Sequence, residues 1–115
     1  MINEYIKPLD IKYLISHLNN TLLSDYKDFQ VNKTERIVNN MSLGISICSI
    51  CEEMGPEYKP IIPTLISIAK DKTDFLRKNA AILLAKLSRQ ACLYDYIKEM
   101  HGIDVIMNIA KFLKL

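Results

Sequence analysis

The feature that most constrains the fold of this 115-residue chain is an internal repeat with a period of about 40 residues. Residues 39–51 align with residues 78–89, and both stretches have small and aliphatic side chains at helical spacing. Residues 60–70 align in the same way with residues 101–111, and both end in Ile-Ala-Lys. Each unit thus pairs a longer helix with a shorter one. Because one such unit cannot bury its apolar face alone, the repeat predicts that the two units stack.

Helical periodicity extends over nearly the whole chain and predicts six helices. They are placed at residues 8–23, 34 to about 54, 60–70, 75–90, 92–100 and 103–114, with a long polar loop at 24–33. Pro63 falls in the first turn of the third helix, where its missing N–H costs no hydrogen bond. The tract 45–50 also alternates as a strand would, but its length and its lack of turn residues favour a helix. We therefore expect an all-α protein with a single domain over residues 1–115.

Composition limits the classes of protein to which the chain can belong. Fifteen Lys+Arg against thirteen Asp+Glu give a formal charge of +2, which provides no global attraction to nucleic acid or an anionic membrane. No apolar run approaches the ~20 residues that cross a bilayer, and Glu4, Lys7 and Asp10 interrupt any signal-peptide core. Three cysteines cannot all join a closed disulfide framework. We expect an intracellular protein of the cytoplasm, the nucleus or a cytoskeletal or centriolar assembly.

No motif in the sequence indicates catalysis, a metal or a cofactor. Cys48 and Cys51 form Cys-x-x-Cys, but no strand precedes them, so we expect two small core side chains rather than a redox pair. Zinc needs about four ligands, and only Cys92 and two distant histidines remain as candidates. P-loop, Gly-x-Gly-x-x-Gly and Gly-x-Ser-x-Gly motifs do not occur. The expectation is a protein that is not an enzyme and has no cofactor.

Residues 75–110 resemble the armadillo/HEAT superfamily of helical repeats. The segment 75–89 is similar to an armadillo third helix, and 94–110 is similar to the first and second helices of the next repeat, with the family's glycine at Gly102. The junction 52–59 is too short for a full first helix and is closer to HEAT. The resemblance covers residues 34–115, with 8–23 as a degenerate second helix of an earlier repeat. It implies a right-handed α-α superhelix of about two to three repeats.

The resemblance also implies a binding or scaffold function, in which a concave helical surface holds a segment of a partner protein. On the predicted fourth helix this surface would present Lys78, Ile82, Lys86 and Arg89, at i, i+4, i+8 and i+11. The predicted second helix would continue it with Ser42, Ile45 and Ser49. Its cations suit an acidic or phosphorylated peptide. The alternative is an ordinary charged face that keeps the protein soluble.

Two further interpretations remain open on the residues alone. The cations Lys70, Lys72, Arg77, Lys78 and Lys86 would also suit a nucleic-acid backbone, although the low net charge makes this alternative weaker. The last predicted helix has an apolar face that no later helix covers, formed by Val105, Ile109, Phe112 and Leu113. We expect that face to contact a second copy or another partner, or to continue into a longer solenoid.

Overall fold

A computed structural model describes residues 8–27, 33–50, 56–70 and 74–113 of the chain. The helices are α1 (Pro8–Lys27), α2 (Thr34–Ile50), α3 (Ile62–Ala69), α4 (Asp74–Leu87), α5 (Ala91–Glu99) and α6 (Gly102–Leu113), with a 3₁₀ helix at Pro56–Ile61. No strand occurs in these four ranges, and the tract 45–50 is helical. The all-α prediction is therefore confirmed for the described residues. None of their helices is both long and apolar enough to cross a bilayer.

α1 extends one turn beyond its predicted end at residue 23. The polar run from Ser24 predicts a loop over 24–33, but the structure continues α1 to Lys27. In this turn the side chain of Asp25 is only 5% exposed, and its Oδ1 lies 3.3 Å from Arg36 Nη2 on α2. Asp25 thus faces inward at a position where helical periodicity predicts an apolar residue, and its carboxylate is paired with Arg36. The loop prediction is wrong for 24–27 for this reason, and residues 28–32 lie outside the described residues.

The segment before α3 is a 3₁₀ helix, Pro56–Ile61, rather than the start of an α-helix at residue 60. Pro60 lies inside this element, and its lack of an N–H removes one of the hydrogen bonds that an α-helix would use. Pro63 falls in the first turn of α3, as predicted. The predicted end of the second helix near residue 54 lies in the range 51–55, outside the described residues.

α4 is the central helix of the fold, since it packs against α2, α3 and α6. Ser42 on α2 contacts Asn79 on α4, and about two turns further along both helices Ser49 and Lys86 line the same hollow. α2 and α4 therefore run in the same direction. α1 packs against α2 and against the 3₁₀ helix, while α3 also contacts α6. α4 thus contacts α2, α3, α5 and α6, and α2 connects α1 to this group.

A continuous apolar core joins these helices. Its deeply buried side chains include Ile15 and Leu22 of α1, Ile37 and Met41 of α2, Tyr58 and Ile61 of the 3₁₀ helix, Ile62, Leu65 and Ile68 of α3, Leu76, Leu83, Leu84 and Leu87 of α4, and Leu93 and Ile97 of α5. Burial of one such aliphatic side chain stabilises the fold by about 1.5–3 kcal/mol. Because each helix contributes to the same core, the core packing fixes the position of α2 relative to α4.

The apolar face of α6 is partly covered within the chain. Ile109 is 6% exposed and belongs to the core, and Val105 packs half-buried against it. This cover comes from α3, α4 and α5, which all contact α6. The expectation of an open face is therefore corrected at Ile109, and the side chains of Phe112 and Leu113 lie outside the described residues. Self-association through α6 stays a prediction.

Candidate functional site

The residues predicted to bind a partner lie on α2 and α4, which pack side by side. We call these seven residues the α2–α4 surface: Ser42, Ile45 and Ser49 of α2, Lys78, Ile82 and Lys86 of α4, and Arg89 in the turn after α4. The four exposed members are Ser42, Ser49, Lys78 and Arg89, and the other three are half-buried. The two helices meet at two places along this surface, one at each end.

A hydrogen bond joins α2 and α4 at the first of these places. Asn79 Nδ2 donates to Ser42 Oγ over 3.2 Å, and this contact is exposed to solvent. The Ser42 hydroxyl keeps its own proton to donate to a bound segment. Sequence reasoning did not include Asn79, although the internal repeat aligns it with Asn40. That alignment is the sequence feature that could have identified it, because Asn40 likewise donates to an earlier helix, α1.

An open hollow of about 340 Å³ lies at the second place, between the C-terminal parts of α2 and α4. Its lining consists of Cys48, Ser49, Lys86, Arg89 and Gln90. Three of these five were predicted to bind a partner, and Cys48 and Gln90 are added by the structure. Within the described ranges, two cations and no acidic residue contribute to this lining. The hollow is therefore a concave, positively charged part of the α2–α4 surface.

Lys86 and Arg89 are the groups of the hollow that can bind an anion. Within the described part of the chain, neither cation has an ion-pair partner. The Ser49 hydroxyl already donates to the Ile45 carbonyl oxygen over 3.0 Å. Lys86 is half-buried and Arg89 is exposed, so one cation lies within the hollow wall and the other at its edge. This arrangement can attract a carboxylate or a phosphate by charge.

The cations considered for nucleic acid are distributed over several elements. Lys70 is exposed at the C-terminal end of α3, and Arg77 is half-buried on α4 with an interaction of its own. Lys72 lies outside the described residues. Lys86 is the member of this set that lines the hollow. Lys78 and Lys86 thus belong to the α2–α4 surface, and Lys86 alone of this set joins Arg89 in the lining of the hollow that the described residues form.

Metal-binding side chains do not cluster in the described ranges. No group of three or more His, Cys, Asp and Glu side chains there could hold a metal ion. His101 Nδ1 lies 3.6 Å from Asp104 Oδ2 in an exposed pair at the start of α6. Cys48 is half-buried, Cys92 is exposed, and Cys51 lies outside the described residues. The expectations about enzymes, metals and cofactors stay predictions.

Comparisons with protein-family models, with curated proteins and with solved structures found no significant match to this chain.

Proposed function

We propose that this chain is a non-enzymatic, armadillo/HEAT-like repeat module that binds a protein or peptide segment on the α2–α4 surface. The main support is the hollow in which Ser49, Lys86 and Arg89 meet. Its two cations have no ion-pair partner among the described residues, and they line a hollow between α2 and α4, which the repeat interpretation assigns to different units. An acidic group of a partner segment would be attracted by both cations.

The packing of the helices supports the repeat interpretation. α2 and α4 are the equivalent long helices of the two units, and they run in the same direction, as stacked repeats require. The shorter equivalents, α3 and α6, also contact each other. In both units an aligned asparagine, Asn40 or Asn79, donates to the preceding long helix in the chain. These relations favour a right-handed α-α superhelix of about two to three repeats.

Recognition by this module relies on a preformed surface. The Ser42–Asn79 pair provides polar groups at one end, and the cationic hollow lies about 10 Å away at the other. Between them, the half-buried Ile45 and Ile82 offer apolar contacts. An extended peptide covers this length with about three residues. The best ligand is therefore a short extended segment with an apolar centre and an anionic group near one end.

A random-peptide library displayed on phage and selected against the full chain tests this proposal. We expect the selected peptides to be acidic and to shift the backbone amide signals of residues on α2 and α4 in ¹⁵N-labelled protein. The variant K86Q/R89Q should lose about tenfold in affinity or more, because each charge-assisted hydrogen bond contributes about 1.5–3 kcal/mol. Peptides that shift only other helices, or that bind this variant equally well, would contradict the proposal.

A matched control separates local recognition from the general effect of charge. Lys70 and Lys98 are both exposed and lie outside the hollow, so K70Q/K98Q removes the same charge from another part of the surface. We expect this variant to bind the selected peptide as the wild type does. Equal losses in the two double variants would indicate that net charge, rather than the hollow, determines the affinity.

The nucleic-acid alternative predicts a different result in the same variants. A fluorescently labelled single-stranded oligonucleotide would bind with an affinity that falls steeply with salt concentration, because its backbone releases counterions. The cations Lys70, Lys78 and Lys86 would then contribute about equally. If the oligonucleotide binds more tightly than the selected peptide and K70Q/K98Q weakens it, this alternative replaces peptide binding.

A further inference from the structure

We propose that the hollow between α2 and α4 is a receptor for a phosphate monoester on the partner segment, such as a phosphoserine side chain. This inference rests on the proposed function and specifies the chemical group that the surface recognises. It depends on the charge of the hollow, on the placement of its two cations and on its size.

The charge of the hollow favours a phosphate over a carboxylate. Among the residues that the structure describes, the lining of the hollow contains Lys86 and Arg89 and no acidic side chain. These cations are three residues apart at the end of α4, so they lie on neighbouring positions and repel each other. A phosphate monoester bears a charge of about −1.5 to −2 at neutral pH, whereas a carboxylate bears about −1. The phosphate therefore neutralises both cations, and the carboxylate leaves one of them uncompensated.

The placement of the two cations is the second argument. Arg89 lies in a turn that its own N–H closes by donating to the Lys86 carbonyl oxygen over 3.2 Å, so the backbones of the two residues are linked. The planar guanidinium of Arg89 can donate two parallel hydrogen bonds to phosphate oxygens. Lys86 is half-buried, which reduces the water around it and strengthens its attraction to an anion. Both side chains line the same hollow, so both can attract an anion that enters it.

The size and the remaining polar groups of the hollow give the third argument. A volume of about 340 Å³ accommodates a phosphate together with the side chain that bears it. The Ser49 hydroxyl is engaged with the Ile45 carbonyl, so recognition depends on the cations rather than on this hydroxyl.

Titration of the ¹⁵N-labelled full chain with three probes tests this inference. The probes are N-acetyl-phosphoserine amide, N-acetyl-glutamic acid amide and inorganic phosphate. We expect the phosphoserine derivative to shift the amide signals of Ser49, Arg89 and Gln90, with an affinity about tenfold higher than that of the glutamic acid derivative. Equal affinity of these two derivatives would overturn the assignment to phosphate. Tighter binding of inorganic phosphate would assign the hollow to a free anion instead of a group on a partner.

Two variants complete the test. K86Q/R89Q should weaken binding of the phosphoserine derivative by about tenfold or more, and K70Q/K98Q should leave it unchanged. If circular dichroism shows that K86Q/R89Q has lost helix, R89Q alone replaces it, because Arg89 is exposed. A response that survives in the folded variant overturns the inference.

The outcomes also distinguish this inference from the proposed function. If a selected acidic peptide maps to α2 and α4 while the phosphoserine derivative causes no shift, the phosphate assignment fails and the binding function stands. If neither ligand affects the α2–α4 surface, both fail.

Discussion

Asn40 on α2 donates a hydrogen bond of 2.8 Å to the carbonyl oxygen of Leu18 in the middle of α1. Asn40 is 9% exposed, so this polar contact lies at the edge of the core and fixes how the two helices are aligned. Asn79 occupies the aligned position in the second unit and bonds to Ser42 on α2. Equivalent asparagines thus tie each long helix to the long helix before it.

Replacement of Asn40 by alanine should destabilise the protein by about 1–2 kcal/mol, because a buried hydrogen bond is lost and a small cavity remains. The neighbouring Asn39 is exposed, so Asn39→Ala should change the free energy of unfolding by less than about 0.5 kcal/mol. Urea unfolding of both variants measures the difference. Equal stabilities would mean that the bond to Leu18 does not stabilise the packing of α1 on α2.

Alanine at Gly102 should destabilise the fold by about 1–3 kcal/mol, because the new methyl group overpacks the turn between α5 and α6. A Cβ at this position would lie 2.6 Å from Ile97 Cγ2 and 3.0 Å from the Ile97 carbonyl oxygen. At Gly44, inside α2, a Cβ would lie 3.2 Å from a terminal methyl of Leu83, which can rotate. Gly44→Ala should therefore be close to neutral, since it gains about 1 kcal/mol of helix propensity. Thermal melts of the two variants provide the comparison, and a loss at Gly44 as large as that at Gly102 would contradict it.

The ion pair between Asp25 and Arg36 predicts an asymmetric response to neutral substitutions. The Asp25 side chain is 5% exposed and that of Arg36 is 61% exposed. Arg36→Gln leaves a buried carboxylate without its partner and should cost about 2–4 kcal/mol. Asp25→Asn keeps the shape and removes the buried charge, so it should cost about 1 kcal/mol or less. Guanidinium unfolding should therefore show that the Asp25→Asn variant is more stable than the Arg36→Gln variant, and the reverse order would contradict the role of burial.

His101 has a positive φ of 62° in the turn before α6. This conformation costs a residue with a side chain about 1–2 kcal/mol, and glycine adopts it freely. His101→Gly should therefore stabilise the protein slightly, by about 0.5–1 kcal/mol, despite the loss of the exposed pair with Asp104. His17 is exposed inside α1, where His17→Gly should destabilise by about 0.5–1 kcal/mol. Opposite shifts of the melting temperature are expected, and shifts of the same sign would contradict the strain at His101.

Helical periodicity was sufficient to predict the helices, because most apolar side chains of this chain face a single core. The periodicity does not predict the last turn of α1, because Asp25 is polar and yet faces inward. Its ion pair with Arg36 allows α1 to continue to Lys27. Local patterns also cannot show which residues meet across helices. The stripe Lys78, Lys86 and Arg89 follows from spacing on one helix, and the resemblance predicts Ser49 beside it, but only the packing of α2 against α4 adds Cys48 and Gln90 to the same hollow.

The burial of Ile109 changes how self-association through α6 can be tested. Ile109 is 6% exposed, so Ile109→Asp places a charge in the core and should cost about 4 kcal/mol or more, enough to unfold a domain of this size. Any change in native mass in that variant would therefore report unfolding rather than a lost interface. Met107 is 65% exposed and lies on the opposite side of α6 from Val105 and Ile109, so Met107→Asp should leave the free energy of unfolding within about 0.5 kcal/mol of the wild type and serves as the control. Phe112 belongs to the predicted face, and Phe112→Asp is the test variant, measured by light scattering at two protein concentrations. A wild-type mass that rises with concentration, and falls to that of one chain in Phe112→Asp but not in Met107→Asp, supports association through this face. A wild-type mass equal to that of one chain at both concentrations contradicts it.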